Sequence, residues 1–152
     1  TVNGHVAYLE QRFGVAPQFD FSGTSGSVMF VWRASGKLSV SAGWQRDLAS
    51  YQTAGTTHTQ TDIFTVAPAW QISPKTSVRL QYREGTRDDQ GNPTGVPTSR
   101  QDRVRDTSLS FSWLPRPFAT LSVTVGENNR TSNIANVDFS ARTVGLTALF
   151  SF

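Results

Sequence analysis

The chain has no cysteine, which rules out both disulfide staples and thiolate metal sites. Its two histidines, His5 and His58, have no second ligand at metal spacing, so neither a metal nor another cofactor is expected. No serine sits in a nucleophile motif, and pairing His58 with a loop serine has no motif behind it. The expectation is therefore a non-enzymatic protein with no catalytic residues. The net charge is only +3, with 14 Lys and Arg scattered among 11 Asp and Glu. Without a basic stripe, nucleic acid is not an expected partner. No charged-then-apolar leader opens the chain, so a secretory signal is expected to have been removed or never to have been there.

Long apolar runs are also missing. No stretch approaches the roughly eighteen residues of a spanning helix, and the mean hydropathy is −0.33. That test is blind to membrane strands, in which each lipid-facing residue alternates with a polar one. Two local patterns are also weak. Asp88-Asp89-Gln90-Gly91-Asn92 lacks the spacing and closing glutamate of a calcium loop, and Asn129-Arg130-Thr131 is a bare glycosylation triplet.

What the chain does have is period-two alternation. From Val137 to Phe152, residues Val144, Leu146, Ala148, Phe150 and Phe152 share one face, and Thr143, Gly145, Thr147 and Ser151 share the other. Seven earlier segments repeat the pattern, for example Leu38, Val40, Ala42 and Trp44 against Ser39, Ser41, Gly43 and Gln45. Met29, Val31, Leu149 and Pro68 are local defects. Short turns around Gly36, Pro74 and Pro115 alternate with longer connections near 14–21, 48–59, 86–103 and 128–136. The expected fold is all-β, a transmembrane antiparallel up-and-down β-barrel of eight strands occupying 1–152 as a single outer-membrane domain. Both termini and the short turns would be periplasmic, and the first strand (Val2–Tyr8) would pair with the last (Val144–Phe152). A soluble β-sandwich is the competing architecture.

A weak repeat runs W-R-A-S-G-K-L-S-V from Trp32, W-Q-I-S-P-K-T-S-V from Trp70 and W-L-P-R-P-F-A-T-L-S-V from Trp113. Each places an outward tryptophan just before a short turn, where an aromatic girdle meets lipid headgroups. Tyr8, Trp44, Phe64 and Tyr82 would form the opposite girdle. Beyond them the outward stripe turns charged at Glu10, Arg46, Asp62, Glu84, Arg105, Glu127 and Arg142, which marks the edge of the hydrocarbon. A lumen-facing polar cluster is expected from Arg33, Asp47, Arg79, Gln81, Arg83 and Asp106, with Asp47 and Asp106 as partners of the arginines.

The closing L-T-A-L-F-S-F resembles the last strand of bacterial outer-membrane barrels, which implies that Phe150 and Phe152 act as an assembly signal read by the barrel assembly machinery. Together with E-N-N-R-T-S-N-I-A-N-V-D-F from Glu127, it resembles the β-barrel porins encoded with bacterial exopolysaccharide loci, the EpsL type. The resemblance covers the C-terminal half with some specificity and the rest only in style. It implies the outer membrane as location and outer-membrane lipid, lipopolysaccharide and exopolysaccharide as partners, with a role in exopolysaccharide export or anchoring. Family members are longer, so this chain reads as an excised or redesigned C-terminal part. A structural or adhesive small barrel is the alternative, with an outer-membrane lipid-modifying enzyme behind it.

The alternation makes a direct prediction. Leu121→Arg, on the apolar face, should destabilise the bilayer-folded protein by about 2–4 kcal/mol more than Ser122→Arg one residue along. A refolding titration in lipid vesicles measures the gap, and equal tolerance would overturn the assignment of faces.

Overall fold

A computed structural model describes residues 1–53, 55–91 and 100–151, with the backbone alone for 51–53. The strands are β1 (Val2–Gln11), β2 (Phe21–Arg33), β3 (Leu38–Thr53), β4 (Thr56–Ser73), β5 (Thr76–Gln90), β6 (Gln101–Arg116), β7 (Ala119–Ser132) and β8 (Phe139–Phe150). They form one antiparallel sheet in sequence order, β1 to β8, each strand bonded to its chain neighbours. The described residues contain no α-helix, only a 3-10 turn at Pro17–Phe19 between β1 and β2.

Side-chain chemistry makes the short turns. The Ser35 hydroxyl accepts from the backbone N–H groups of Lys37 and Leu38 at 3.2 and 3.0 Å, and Ser73 Oγ accepts from Lys75 N at 3.2 Å. Serine in this position imitates a backbone carbonyl and closes the turn. The turn after β6 falls at Pro117 and Phe118, just past the expected one, because β6 runs through Pro115 with a register shift between Trp113 and Arg116. At Pro68, opposite Val40, the β4–β5 register is the same on both sides, Val66↔Tyr82 and Ala69↔Arg79.

Because registers pair even with even residues through β1 to β4, the apolar stripes of separate strands merge into one face. Val28, Trp44 and Phe64 lie in one cross-strand row, and Leu80, Leu109, Val125 and Val144 lie in another. This face is not covered: Phe30, Trp32, Trp70, Phe111, Trp113 and Val125 are all exposed. The only apolar side chains buried among those described are Phe21 and Ala119, each 7% exposed. A sandwich would have packed the stripe against a second sheet. No such layer is present among the described residues.

Two expectations are corrected. The sheet is open: no ladder joins β1 to β8 among the described residues, so Val2–Tyr8 and Val144–Phe150 are free edges, and Phe152 lies outside the described residues. The wall opposite the apolar stripe is mostly serine, threonine, glycine and alanine, which bury little apolar area, so no inner packing draws the edges together. The described residues of the connections expected at 48–59 and 86–103 are largely strand. The β3–β4 ladder continues through Ser50↔His58 to Thr53↔Thr56, and the β5–β6 ladder reaches Asp88↔Gln101. These stretches carry threonine, glutamine and charge instead of an apolar stripe, so their alternation is invisible to hydropathy. Cross-strand polar pairs hold them together. Residues 92–99 lie outside the described set.

Gly85 tests how close the strands run. A Cβ there would collide with the backbone carbonyl of Asp62 and press on Ile63, whereas one at Gly36 would meet nothing. Gly85→Ala should cost about 1–3 kcal/mol and Gly36→Ala close to none, as read from urea midpoints of the folded protein.

Candidate functional site

On the face opposite the apolar stripe, the ladders set the six expected polar residues at different heights. Nearest the short turns, Arg33, Ser39, Ala69 and Arg79 follow one another across β2 to β5. The same row continues through Ser110 and Thr124, whose hydroxyls are 2.9 Å apart, and the next row pairs Ser112 with Ser122 at 2.9 Å. Further up, Gln81 sits opposite Ser108.

Thr65, Arg83, Asp106 and Asn128 form a higher row. Arg83 donates from Nε and Nη2 to Asp106 Oδ2 at 2.9 and 2.6 Å, and Asn128 Nδ2 donates to Asp106 Oδ1. The expected partnership of Arg83 with Asp106 is present. Asn128 is a third member that the sequence did not single out, because an asparagine near a strand end carries no distinguishing pattern.

Asp47 does not complete the cluster. It accepts from Gln45 Nε2 at 2.6 Å and forms no ion pair with an arginine among the described residues. Its row is Thr61, Arg87 and Asp102, far from Arg33 in register. Arg33 and Arg79 thus have no ion-pair partner among the described residues. The physical reason is spacing along the strand: Asp47 is separated from the Arg33 row by the whole length of Ser39 to Gln45.

The outward charges are paired along the belt. Arg46 holds Asp62 with two bonds of 2.7 and 3.0 Å while its guanidinium lies 5.5 Å from the Trp44 ring centre. Glu84 accepts from Tyr82 Oη at 2.7 Å and from Arg103 and Arg105 across the β5–β6 ladder. Arg142 is 3.8 Å from Glu127. The three tryptophans of the repeat all lie exposed on the apolar face beside the short turns, with Trp32 opposite Val40, Trp70 opposite Leu38 and Trp113 opposite Thr76. Tyr8 and Trp44 are exposed on the same face, and Tyr82 is half-buried.

Two further arrangements were not legible in the sequence. Ser27 Oγ and His5 Nδ1 are 3.0 Å apart across the β1–β2 ladder, half of a nucleophilic constellation without a carboxylate on the ring. In the part of β4 beyond the belt, Phe21 stacks on His58, ring centres 4.6 Å apart and 10° from parallel. Thr57 Oγ1 lies 2.9 Å from His58 Nδ1. Both contacts join residues distant in the chain or differing in phase, which a single-strand pattern cannot reveal.

Compared with family models, with curated proteins and with solved structures, the chain matches none of them.

Burial pushes the His58 imidazole below its ordinary value, so its neutral form is favoured in the folded hairpin. The unfolded chain then takes up the proton first, and stability is lost as pH falls below about 6.5 toward the folded value. Amide exchange around Phe21 and Thr59 should be faster at about pH 5 than at about pH 7.5 after correction for intrinsic rates. His58→Phe, which keeps the stack, should abolish the difference.

Proposed function

We propose that this sheet is the wall of a non-enzymatic outer-membrane β-barrel, its apolar face in lipid and its polar face lining the interior. The observation that carries the reading is the continuous, uncovered apolar face across the strands, bounded along one margin by paired charges whose rows step by two residues from Arg46–Asp62 to Glu84–Arg105 to Glu127–Arg142. In water such a face is a severe liability, and in hydrocarbon it is the requirement for spanning.

The register supports closure into eight strands. One cross-strand row begins at Val2 and passes through Phe30, Ala42, Val66, Tyr82, Thr107 and Glu127 to Arg142. Joining β8 to β1 at the level of the belt would set Arg142 against Glu10, eight residues beyond the start of that row. Such a stagger, at about 3.3 Å per residue across eight strands about 4.8 Å apart, inclines the strands by about 35°. Transmembrane barrels have tilts of about 35–45°. The same register sets Val6 against Leu146, which at 81% exposure each are the most exposed large apolar residues within the strands. It also brings a cation to a carboxylate.

An eight-stranded interior is only wide enough for side chains, so the closed form would be a structural or anchoring barrel and not a wide pore. The connection to exopolysaccharide, and to lipopolysaccharide and the assembly machinery as partners, rests on the resemblance of the Glu127–Phe139 and Leu146–Phe152 segments. The free edges and the small inward residues favour a second reading, in which β1 and β8 pair with strands of another segment in a wider barrel.

The absence of cysteine makes the test clean. The double substitution Val6→Cys with Leu146→Cys, oxidised in lipid vesicles, should give a cross-link within one monomer. Cross-linked dimers, or no cross-link in protein shown to be inserted, would favour the wider barrel.

A further inference from the structure

The charged side chains are unevenly divided along the strands. Arg33, Lys37, Lys75, Arg79 and Arg116 occupy the short-turn end with no carboxylate side chain among them. All eleven carboxylate side chains lie from the Tyr82–Glu127 row toward the longer connections, with the other nine arginines. There nearly every described arginine has an acid beside it. At the short-turn end none of the five cations forms an ion pair among the described residues.

Two of these unpaired cations face one cavity. Arg33 and Arg79 stand at the two ends of a four-strand row on the polar face, with only Ser39 and Ala69 between them. Three inter-strand steps separate their backbones by about 14 Å, a gap that long side chains can narrow from both sides. The space between and below is a cavity of about 370 Å³, which Lys37, Gln71 and Ser77 also line. That volume is within the range of small-molecule sites, about 300–1,000 Å³.

From this arrangement we propose that the short-turn end of the polar face is an anion-binding site, which takes a carboxylate or phosphate group of a small polar solute between Arg33 and Arg79. Guanidinium forks match the two oxygens of either group. Lys37, which also lines the cavity, adds a third positive charge. The hydroxyls of Ser39 and Ser77 offer hydrogen bonds to the rest of the solute, as does the Gln71 amide, whose Nε2 also donates to Ser73 O at 2.7 Å. The polar lining favours hydroxyl-bearing molecules over aromatic ones. When the site is empty, the cations are solvated and far enough apart for salt to screen their repulsion, since the Debye length is about 10 Å at 0.1 M. Arg83 shows the contrast, since Asp106 already occupies its fork. The site needs only the polar face of the sheet, so it stands or falls separately from membrane closure.

The test is calorimetric titration of the folded full chain, in uncharged detergent at low salt, with sodium phosphate and with sodium glucuronate. Saturable binding of either anion is expected, weakening as sodium chloride is added. Arg33→Gln with Arg79→Gln should weaken it at least tenfold. Arg116→Gln removes a cation from the same end but outside the cavity, and should change affinity less than twofold. Circular dichroism of each variant establishes that the sheet is intact, and Arg33→Lys with Arg79→Lys, which keeps the charge, should recover part of the affinity. Binding of phosphate alone, glucuronate alone or both assigns the group recognised. The proposal is overturned if folded protein binds neither, if Arg116→Gln weakens binding as much as the double variant, or if heat appears only with micelles containing phosphatidylglycerol.

Discussion

The antiparallel ladder is the constraint on which everything else in this molecule depends. Successive side chains in a strand point to opposite faces, so a register that slipped by one residue would send a whole apolar stripe to the polar side. Seven ladders in series keep the phase from Val2 to Phe150, with shifts only beside turns at Ser50/Thr53, Gln71/Ser73 and Trp113/Arg116. No packed interior enforces this phase. The serine-capped turns at Ser35 and Ser73 and the paired charges such as Arg46–Asp62 do so at either end of the apolar band.

Charge placement follows from the same geometry. The polar face can hold an ionised group only where a partner or water reaches it, and on the other face the charges stand beyond the apolar band. At the belt, partners come from the directly opposite strand, as with Glu84 and Arg105. Asp106 is satisfied by Arg83 from one side and Asn128 from the other. Below that level no acid is available, which leaves Arg33 and Arg79 to water and to any anion that enters.

Opening of the sheet is the second consequence. Each edge strand has one row of backbone donors and acceptors without a ladder partner, and neither β1 nor β8 carries the lysine, proline or bulge that usually protects an edge. Both edges also carry the apolar stripe, through Val2, Val6 and Tyr8 on one side and Val144, Leu146 and Phe150 on the other. Every strand but β1 and β8 is thus paired on both sides. At the opposite ends of the strands, β3 and β4 extend beyond the belt as a polar hairpin that packs Phe21 and His58 together.

Strand count, strand order and the identity of the two faces could be read from the sequence, because alternation is a local property and neighbouring strands joined by tight turns pair with each other. That tryptophans 32, 70 and 113 share the apolar face, with charges beyond one margin of it, was legible for the same reason. The true length of β3 to β6 was not, since Thr, Gln and Asp alternate without an apolar signal. Which cations find partners was not legible either. Arg83 and Asp106 meet, while Arg33 and Asp47 do not, because cross-strand neighbours depend on accumulated register over several ladders. The relation of β1 to β8 is likewise a property of the whole sheet. Its stagger is written in seven successive pairings, whereas the final ladder has no turn or packed interior to impose it, so only the tertiary structure decides whether the edges meet.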